Sequence, residues 1–257
     1  MKKSLLLCLI ICLPFVRSGA AQSVGSPLKI GEPAELTFSL NGGFDKKTIN
    51  GIKHESPRIL LKAIYGLSNV FELFGEIGIA KLNIRPSGQK RPAFRDGTHL
   101  ALGAGFTIRF LHFERSHSSL FLNTRFFRFT SSPVSKTTLN TSLSNILQIQ
   151  ELDYDSREFD LNFGLTKRMR FLKVYFGINN KWISRLEKRT GSTVVGGVTE
   201  SSFSENGEYQ SGAKFGPYLG FDVQLPSHLN LSFEGRMTNE SDFFINFGLS
   251  QTGSPNR

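Results

Sequence analysis

The chain has 257 residues, a formal charge of +10 and 39% hydrophobic residues, which excludes a disordered tail and suffices for one large all-β or α/β domain. Phe dominates the aromatic set, 24 against 5 Tyr and 1 Trp, and 25 Gly accompany it, a pairing that suits pleated surfaces and tight turns rather than helices. Past the N-terminus no stretch stays apolar for the roughly 18 residues that a membrane helix needs, so a helical membrane protein is excluded.

The chain opens on Met1, Lys2 and Lys3, an apolar run from Leu5 to Val16, and the small residues Ser18, Gly19, Ala20 and Ala21. This is the order of an export signal, with cleavage expected after Ala20 or Ala21. The expected organisation is a cleaved signal peptide at 1–21 and a single domain at 22–257. A membrane anchor is excluded by the short run and by Pro14, and a lipoprotein signal by Ile11, which stands before Cys12 where a small residue is required. Both cysteines, Cys8 and Cys12, lie in this segment, so the mature chain has no disulfide, thiolate metal site or thiol nucleophile. Loss of Lys2, Lys3 and Arg17 lowers the formal charge to +7, 28 basic side chains against 21 acidic. An exported basic chain without a nucleic-acid motif points to anionic surfaces, not to nucleic acid.

From Leu36 onward the apolar period is two, and it recurs in ten segments. The first alternates Leu36, Phe38 and Leu40 with Thr37, Ser39 and Asn41. The second sets Ile59, Leu61, Ala63 and Tyr65 against Arg58 and Lys62; the third sets Phe71, Leu73, Ile77 and Ile79 against Glu72 and Glu76. The fourth carries Leu100, Leu102, Phe106 and Ile108 on one side and Ala101, Gly103, Gly105, Thr107 and Arg109 on the other. Segments near 120–126, 159–165, 172–181, 213–223, 229–236 and 243–250 continue the rule. The gaps between them alternate as well. Long loops are expected at 45–57, 86–97, 133–149 and 187–209, short turns at 67–69, 114–117, 167–170 and 226–228, with 239–241 as the exception. Long connections on one rim, short ones on the other and an even segment number are the pattern of a closed antiparallel up-and-down transmembrane β-barrel of about ten strands, eight being the smaller alternative. A soluble β-sandwich is the rival, since it also alternates.

The polar face supports closure around a lumen. The inward charges expected there are Lys62, Arg109, Arg125, Lys173, Lys181, Lys214 and Arg236 with Glu72, Glu76, Glu158, Asp160, Asp222 and Glu234, nearly balanced. In a narrow interior they must pair to offset desolvation. The opposite face carries almost no charge along the strand centres, as lipid contact demands.

With Ala20-Ala21-Gln22 closing the signal, inward Gly, outward Phe, and the closing strand containing Asn246-Phe247-Gly248-Leu249, the chain resembles the small outer-membrane β-barrel proteins of Gram-negative bacteria, in particular the Bacteroidetes type. It departs from that pattern where a terminal aromatic is expected, with Gln251 and a tail at 252–257. The resemblance implies an outer-membrane location, contact with outer-membrane lipid and lipopolysaccharide, and handling by the outer-membrane insertion machinery. Some relatives are surface proteases or lipid A deacylases; the candidates for such an active site are His54, Glu55, Asp96, His99, Asp153 and Asp155, all toward the long-loop rim, and His112 and His117 with Ser116 and Ser118 on the other rim. No spacing among them fixes a nucleophile, a base and an orienting group together. No catalysis and no cofactor or metal is assigned. The expected role is structural or surface-binding, through the long loops and a surface ligand of unknown identity, with a lumen plugged by charged side chains. An outer-rim hydrolase and a narrow pore are the alternatives. The basic loop with Arg85, Lys90, Arg91 and Arg95 is a candidate contact for lipopolysaccharide phosphates. The 187–209 loop, with its Gly196-Gly197 pair and Ser/Thr-rich run, is expected to be mobile, and Trp182 is expected to act as an interfacial anchor.

Overall fold

The computed structural model describes residues 36–49, 52–85, 94–140, 145–196, 198–225, 229–238 and 242–252. The expected signal peptide, the 86–93 part of the basic loop and the C-terminal tail from 253 lie outside the described residues. Eleven strands follow one another: β1 (Leu36–Ile49), β2 (Ile52–Gly66), β3 (Phe71–Arg85), β4 (Phe94–Phe113), β5 (Ser118–Ser131), β6 (Val134–Asn140), β7 (Asn145–Met169), β8 (Leu172–Val195), β9 (Val198–Leu225), β10 (Leu229–Thr238) and β11 (Asp242–Thr252).

Every pairing is antiparallel and between chain neighbours, except where the sheet closes on itself. There β1 pairs with β11, Thr37 opposite Thr252 through Lys46 opposite Phe243. β5 and β6 are two halves of one wall strand, because both lie along β7, with Ser131 opposite Tyr154 and Val134 opposite Glu151. Ser132 and Pro133 separate them; Pro has no N–H for the ladder, and its carbonyl instead accepts the Leu152 N–H at 3.0 Å. The ring therefore has ten wall positions, and no sheet edge is left within it. The ten-strand expectation holds over the eight-strand one.

On the short-turn rim one link is a single 3-10 turn, Glu114–Ser116, closed by His117 in the left-handed region at φ 48°. On the other rim the expected long loops are mostly strand. β1 and β2 continue to Ile49 and from Ile52, and β7 and β8 stay in register from Met169 opposite Leu172 up to Ile146 opposite Val195. The 187–209 segment, expected to be mobile, is a hairpin turning at Gly196 (φ 58°). Its Ser, Thr and Glu side chains gave no period-two signal because both faces of a projecting ribbon meet water. Gly191 in β8 faces Phe203 in β9, whose ring lies where a Cβ would come within 2.2 Å, so an aromatic covers the bare glycine backbone. β6, β7, β8 and β9 thus continue past the ring as a four-stranded sheet.

Outside, the wall is apolar: Leu61, Ile77, Leu100, Phe126, Phe163, Ile178 and Leu219 are all exposed. Inside, it is packed. Among the described residues no helix is long and apolar enough to cross a membrane. A closed ladder wearing an apolar coat over a polar interior is a membrane-spanning barrel, since strands whose backbone groups are all paired are the other way to cross lipid.

Inward glycines set the room for inward rings. A Cβ on Gly220 would fall 2.2 Å from the Tyr175 ring, and one on Gly164 would fall 2.1 Å from the Tyr218 hydroxyl and 2.9 Å from Phe121. Those three rings form a buried cluster toward the short-turn rim. Gly220→Leu should therefore lower the unfolding midpoint in detergent micelles by an overpacking cost of about 1–3 kcal/mol. Gly75→Ala, at a position with nothing within 4 Å of the added Cβ, should leave it unchanged.

Candidate functional site: the charged lumen and its outer rim

Because alternate residues of each strand point inward, charges far apart in sequence meet across the ring. Arg58 of β2 spans to Glu158 of β7 in a bidentate pair, Nη1 to Oε2 at 3.0 Å and Nη2 to Oε1 at 2.8 Å. Its Nη2 also donates to Asp45 of β1 at 3.2 Å and its Nε to Ser56 at 3.1 Å. Lys181 of β8 joins the same two carboxylates, 2.9 Å from Glu158 and 3.7 Å from Asp45. The Arg58 guanidinium lies over the Phe127 and Phe129 rings, 4.4 and 5.1 Å from their centroids, which adds cation–π contacts to the hydrogen bonds along its edge.

A second group lies beside the first. Arg125 of β5 holds Glu76 of β3 through Nε at 2.8 Å and through Nη2, and its Nη1 is 3.5 Å from Asp160. Lys62 reaches Glu76 at 3.7 Å while lying 3.7 Å from the Phe74 centroid. Arg236 of β10 bridges Asp160 at 3.5 Å and Glu234 at 3.1 Å, and Tyr175 donates to Glu234 at 3.1 Å. Five cations and five carboxylates are thus all buried and mutually paired. Toward the short-turn rim an amide ladder follows: Thr107, Asn123, Asn162 and Asn179 are aligned in register on four strands, with Asn123 donating to Thr107 at 2.9 Å and Asn162 to Asn123 at 3.1 Å.

Of the expected inward charges, Lys62, Glu72, Glu76, Arg125, Glu158, Asp160, Lys181, Asp222, Glu234 and Arg236 are buried. Lys173 faces Asp222 in register and Lys214 faces Lys181, both half-buried. Arg109 stands apart from the paired core, donating from Nη2 to the Asn69 carbonyl at the short-turn rim. A bulge between Arg109 and Leu111 sits at this point of β4. Three further buried, inward charges join the expected set: Arg58, which alternation sets on the polar face with Lys62, and Asp45 and Arg185, which the sequence reading missed. All three keep the period-two phase of Asn41, Lys62 and Lys181 on their own strands; Asp45 was missed because it was placed in a loop that is strand. The charges do not fill the interior alone: toward the long-hairpin rim Leu60, Leu82, Ile84, Phe94, Leu152 and Tyr154 join Phe127 and Phe129 in an inward apolar cluster.

Among the described residues, those considered for catalysis lie in separate contacts. His54 is buried beside Tyr154, ring centroids 6.4 Å apart. His112 Nδ1 lies 2.8 Å from the Ser119 hydroxyl, a cross-strand pair at the short-turn rim. Asp153 accepts from Ser132 at 2.8 Å. Asp155 accepts from Arg128 at 3.0 and 3.1 Å and from Arg157 at 3.0 Å. Burial would raise the Asp155 carboxyl, but hydrogen bonds from Arg128 and then Arg157 outweigh it and hold it below the usual carboxylate range. Among the described residues no group of three His, Cys, Asp or Glu could hold a metal ion. The side chains of Arg85, Lys90, Arg91, Arg95 and Asp96 lie outside the described residues. Trp182 is on the outer wall, its ring 5.4 Å from that of Phe159 across the β7–β8 ladder.

No known family matches the chain, and no curated protein does. Solved barrels do resemble its fold. An outer-membrane channel from Pseudomonas putida F1 is 9% identical with a TM-score of 0.46, over 90% of this chain and 100% of that one. The translocator domain of the autotransporter NalP from Neisseria meningitidis is 10% identical at 0.41, over 86% and 88%. The transport unit of the autotransporter AIDA-I from Escherichia coli is 10% identical at 0.41, over 88% and 91%. At such scores the likeness is that of curled antiparallel walls in general, so the role of this chain is read from its own residues.

Removing one member of the core should show its coupling. Arg58→Met leaves Glu158 and Asp45 buried with Lys181 as their remaining cation among the contacts described above, and should cost about 3–5 kcal/mol in urea unfolding from lipid vesicles. The double variant Arg58→Met, Glu158→Met should recover much of that loss. Arg168→Gln, an exposed change on the short-turn rim, should stay within about 0.5 kcal/mol of the parent.

Proposed function

We propose that the chain is an integral outer-membrane barrel with a plugged lumen, working as a structural or surface-binding protein through the sheet that β6–β9 raise above the wall. The observation that carries this reading is the combination of buried, mutually paired charges spanning the interior with a large, paired, exposed projection, the β8–β9 hairpin staying in ladder out to Gly196. The charged core favours this reading over a pore, and the scattered His and Asp positions favour it over a hydrolase. The resemblance to Bacteroidetes-type barrels and the apolar outer wall support placement in the outer membrane. The short-turn rim, where both ends of the barrel meet, faces the periplasm, and the long hairpins face outward, as short periplasmic turns and longer outer connections require. Trp182 anchors the wall at the outer interface. Arg85 at the end of β3, Arg95 at the start of β4, and Lys90 and Arg91 between them contact lipopolysaccharide phosphates.

Thiol labelling tests the orientation cleanly, because the mature chain would contain no other cysteine. Cys at Gly196 should react with an impermeant reagent on intact cells and Cys at Met169 should not; the reverse would overturn the assignment. In planar bilayers the wild type should show no large steady conductance, and finding one would overturn the plugged lumen. Cutting residues 190–208 back to a short Gly-containing turn should leave a barrel that assembles and resists detergent but no longer supports cell-surface binding to matrix proteins or polysaccharides.

A further inference from the structure

The outer wall changes chemistry abruptly along β7. Outward positions Phe159, Leu161, Phe163 and Leu165 are apolar, whereas outward positions Arg157, Asp155, Asp153 and Glu151 are charged. The ladder register carries this boundary onto the neighbours: Phe126, Phe159 and Trp182 form one row across β5, β7 and β8, and the next outward row is Arg128, Arg157 and Ser184. Arg128 and Arg157 are directly opposite each other. Like charges opposed on one face of an antiparallel pair repel, and a single carboxylate, Asp155, serves both. Arg128 gives it Nε and Nη2, Arg157 gives it Nη2, and their side chains remain 51% and 48% exposed while that of Asp155 is 17% exposed. Two guanidiniums therefore share one compensating charge, held in fixed orientation, with the remaining donors of both facing out at the top of an aromatic row.

We propose that Arg128 and Arg157, above Phe126, Phe159 and Trp182, form a binding site on the outer wall for the phosphorylated headgroup of an outer-leaflet lipid, a lipid A phosphate. The chemistry fits on both sides of the boundary. A phosphate monoester offers three acceptor oxygens to planar guanidinium forks, whose contacts to phosphate are bidentate and charge-assisted. The acyl chains of the same molecule would lie on the exposed rings of Phe126 and Phe159, 48% and 40% exposed. Asp155 acts here as a positioning residue, because it fixes the two side chains before ligand arrives and lowers the ordering cost of binding. The assignment to the outer leaflet rests on the proposed orientation; the phosphate site itself does not.

The test uses the full mature chain in mixed micelles containing either bisphosphorylated lipid A or lipid A with both phosphates removed, with retention measured by native mass spectrometry. The wild type should hold the phosphorylated form about tenfold or more tightly, and Arg128→Gln with Arg157→Gln should abolish that preference, while Arg168→Gln with Arg170→Gln on the opposite rim keeps it. Arg128→Lys with Arg157→Lys, which preserves charge but not the fork, should retain a weakened preference and shows that loss in the Gln variant is not unfolding. Equal retention of both lipids by the wild type, or an unchanged preference in the Gln variant, would overturn the site. Full displacement by millimolar inorganic phosphate would overturn the lipid headgroup as occupant in favour of free phosphate. Preferential retention together with labelling of Met169 rather than Gly196 on intact cells would overturn the outer-leaflet assignment alone.

Discussion

Arg58 reaches across the barrel from β2 to Glu158 on β7, residues a hundred positions apart in the chain, and much of the interior is arranged to make that contact tolerable. An arginine buried in a narrow lumen carries a desolvation cost that one carboxylate at one oxygen would not offset. Here the carboxylate is bidentate, Asp45 and Ser56 take the remaining edge, Phe127 and Phe129 cover the plane, and Lys181 neutralises the second negative charge. Apart from Ser56 on its own strand, these partners come from β1, β5, β7 and β8, so the full contact set exists only once the ring has closed.

Closure and filling are therefore one constraint. Ten wall strands enclose a lumen too narrow for a wide channel and too wide to be filled by backbone alone. Long inward side chains fill it in levels: three aromatic rings and the Asn123–Asn162 ladder toward the short turns, ion pairs at mid-height, and the apolar cluster around Phe129 and Tyr154 toward the long hairpins. Inward glycines such as Gly164 and Gly220 are the complement of those large groups, leaving the volume that Tyr175 and Tyr218 occupy. On the proposed reading, it is the projecting sheet and the boundary of the apolar wall that carry the function.

That boundary is drawn by single residues. Between Phe159 and Arg157 the outward face of β7 passes from a tilted aromatic pair with Trp182 to two arginines bridged by Asp155. In the proposed lipid site, positions two residues apart on the same strand would serve the acyl and headgroup regions of a bilayer, because the period of the pleat returns each second side chain to the same face.

The period of two, readable in the sequence from Leu36 to Ser250, determined the barrel, its ten walls, its apolar outer face and most of its inward charges, since burial against lipid forces alternation whatever the partners are. The outward row of Trp182 and Phe159 and the inward phase of Glu158 and Asp160 were legible for the same reason. What only the tertiary structure decided is which charges meet. Alternation says that Arg58 and Glu158 point inward but not that they are partners, because that depends on ring closure and on the stagger between strands. The projecting β8–β9 hairpin was illegible too, since a ribbon wetted on both faces keeps its ladder without any apolar signature. The Arg128–Arg157 pair was hidden likewise: like charges placed face to face are a matter of register, and register is fixed by the whole wall rather than by either strand.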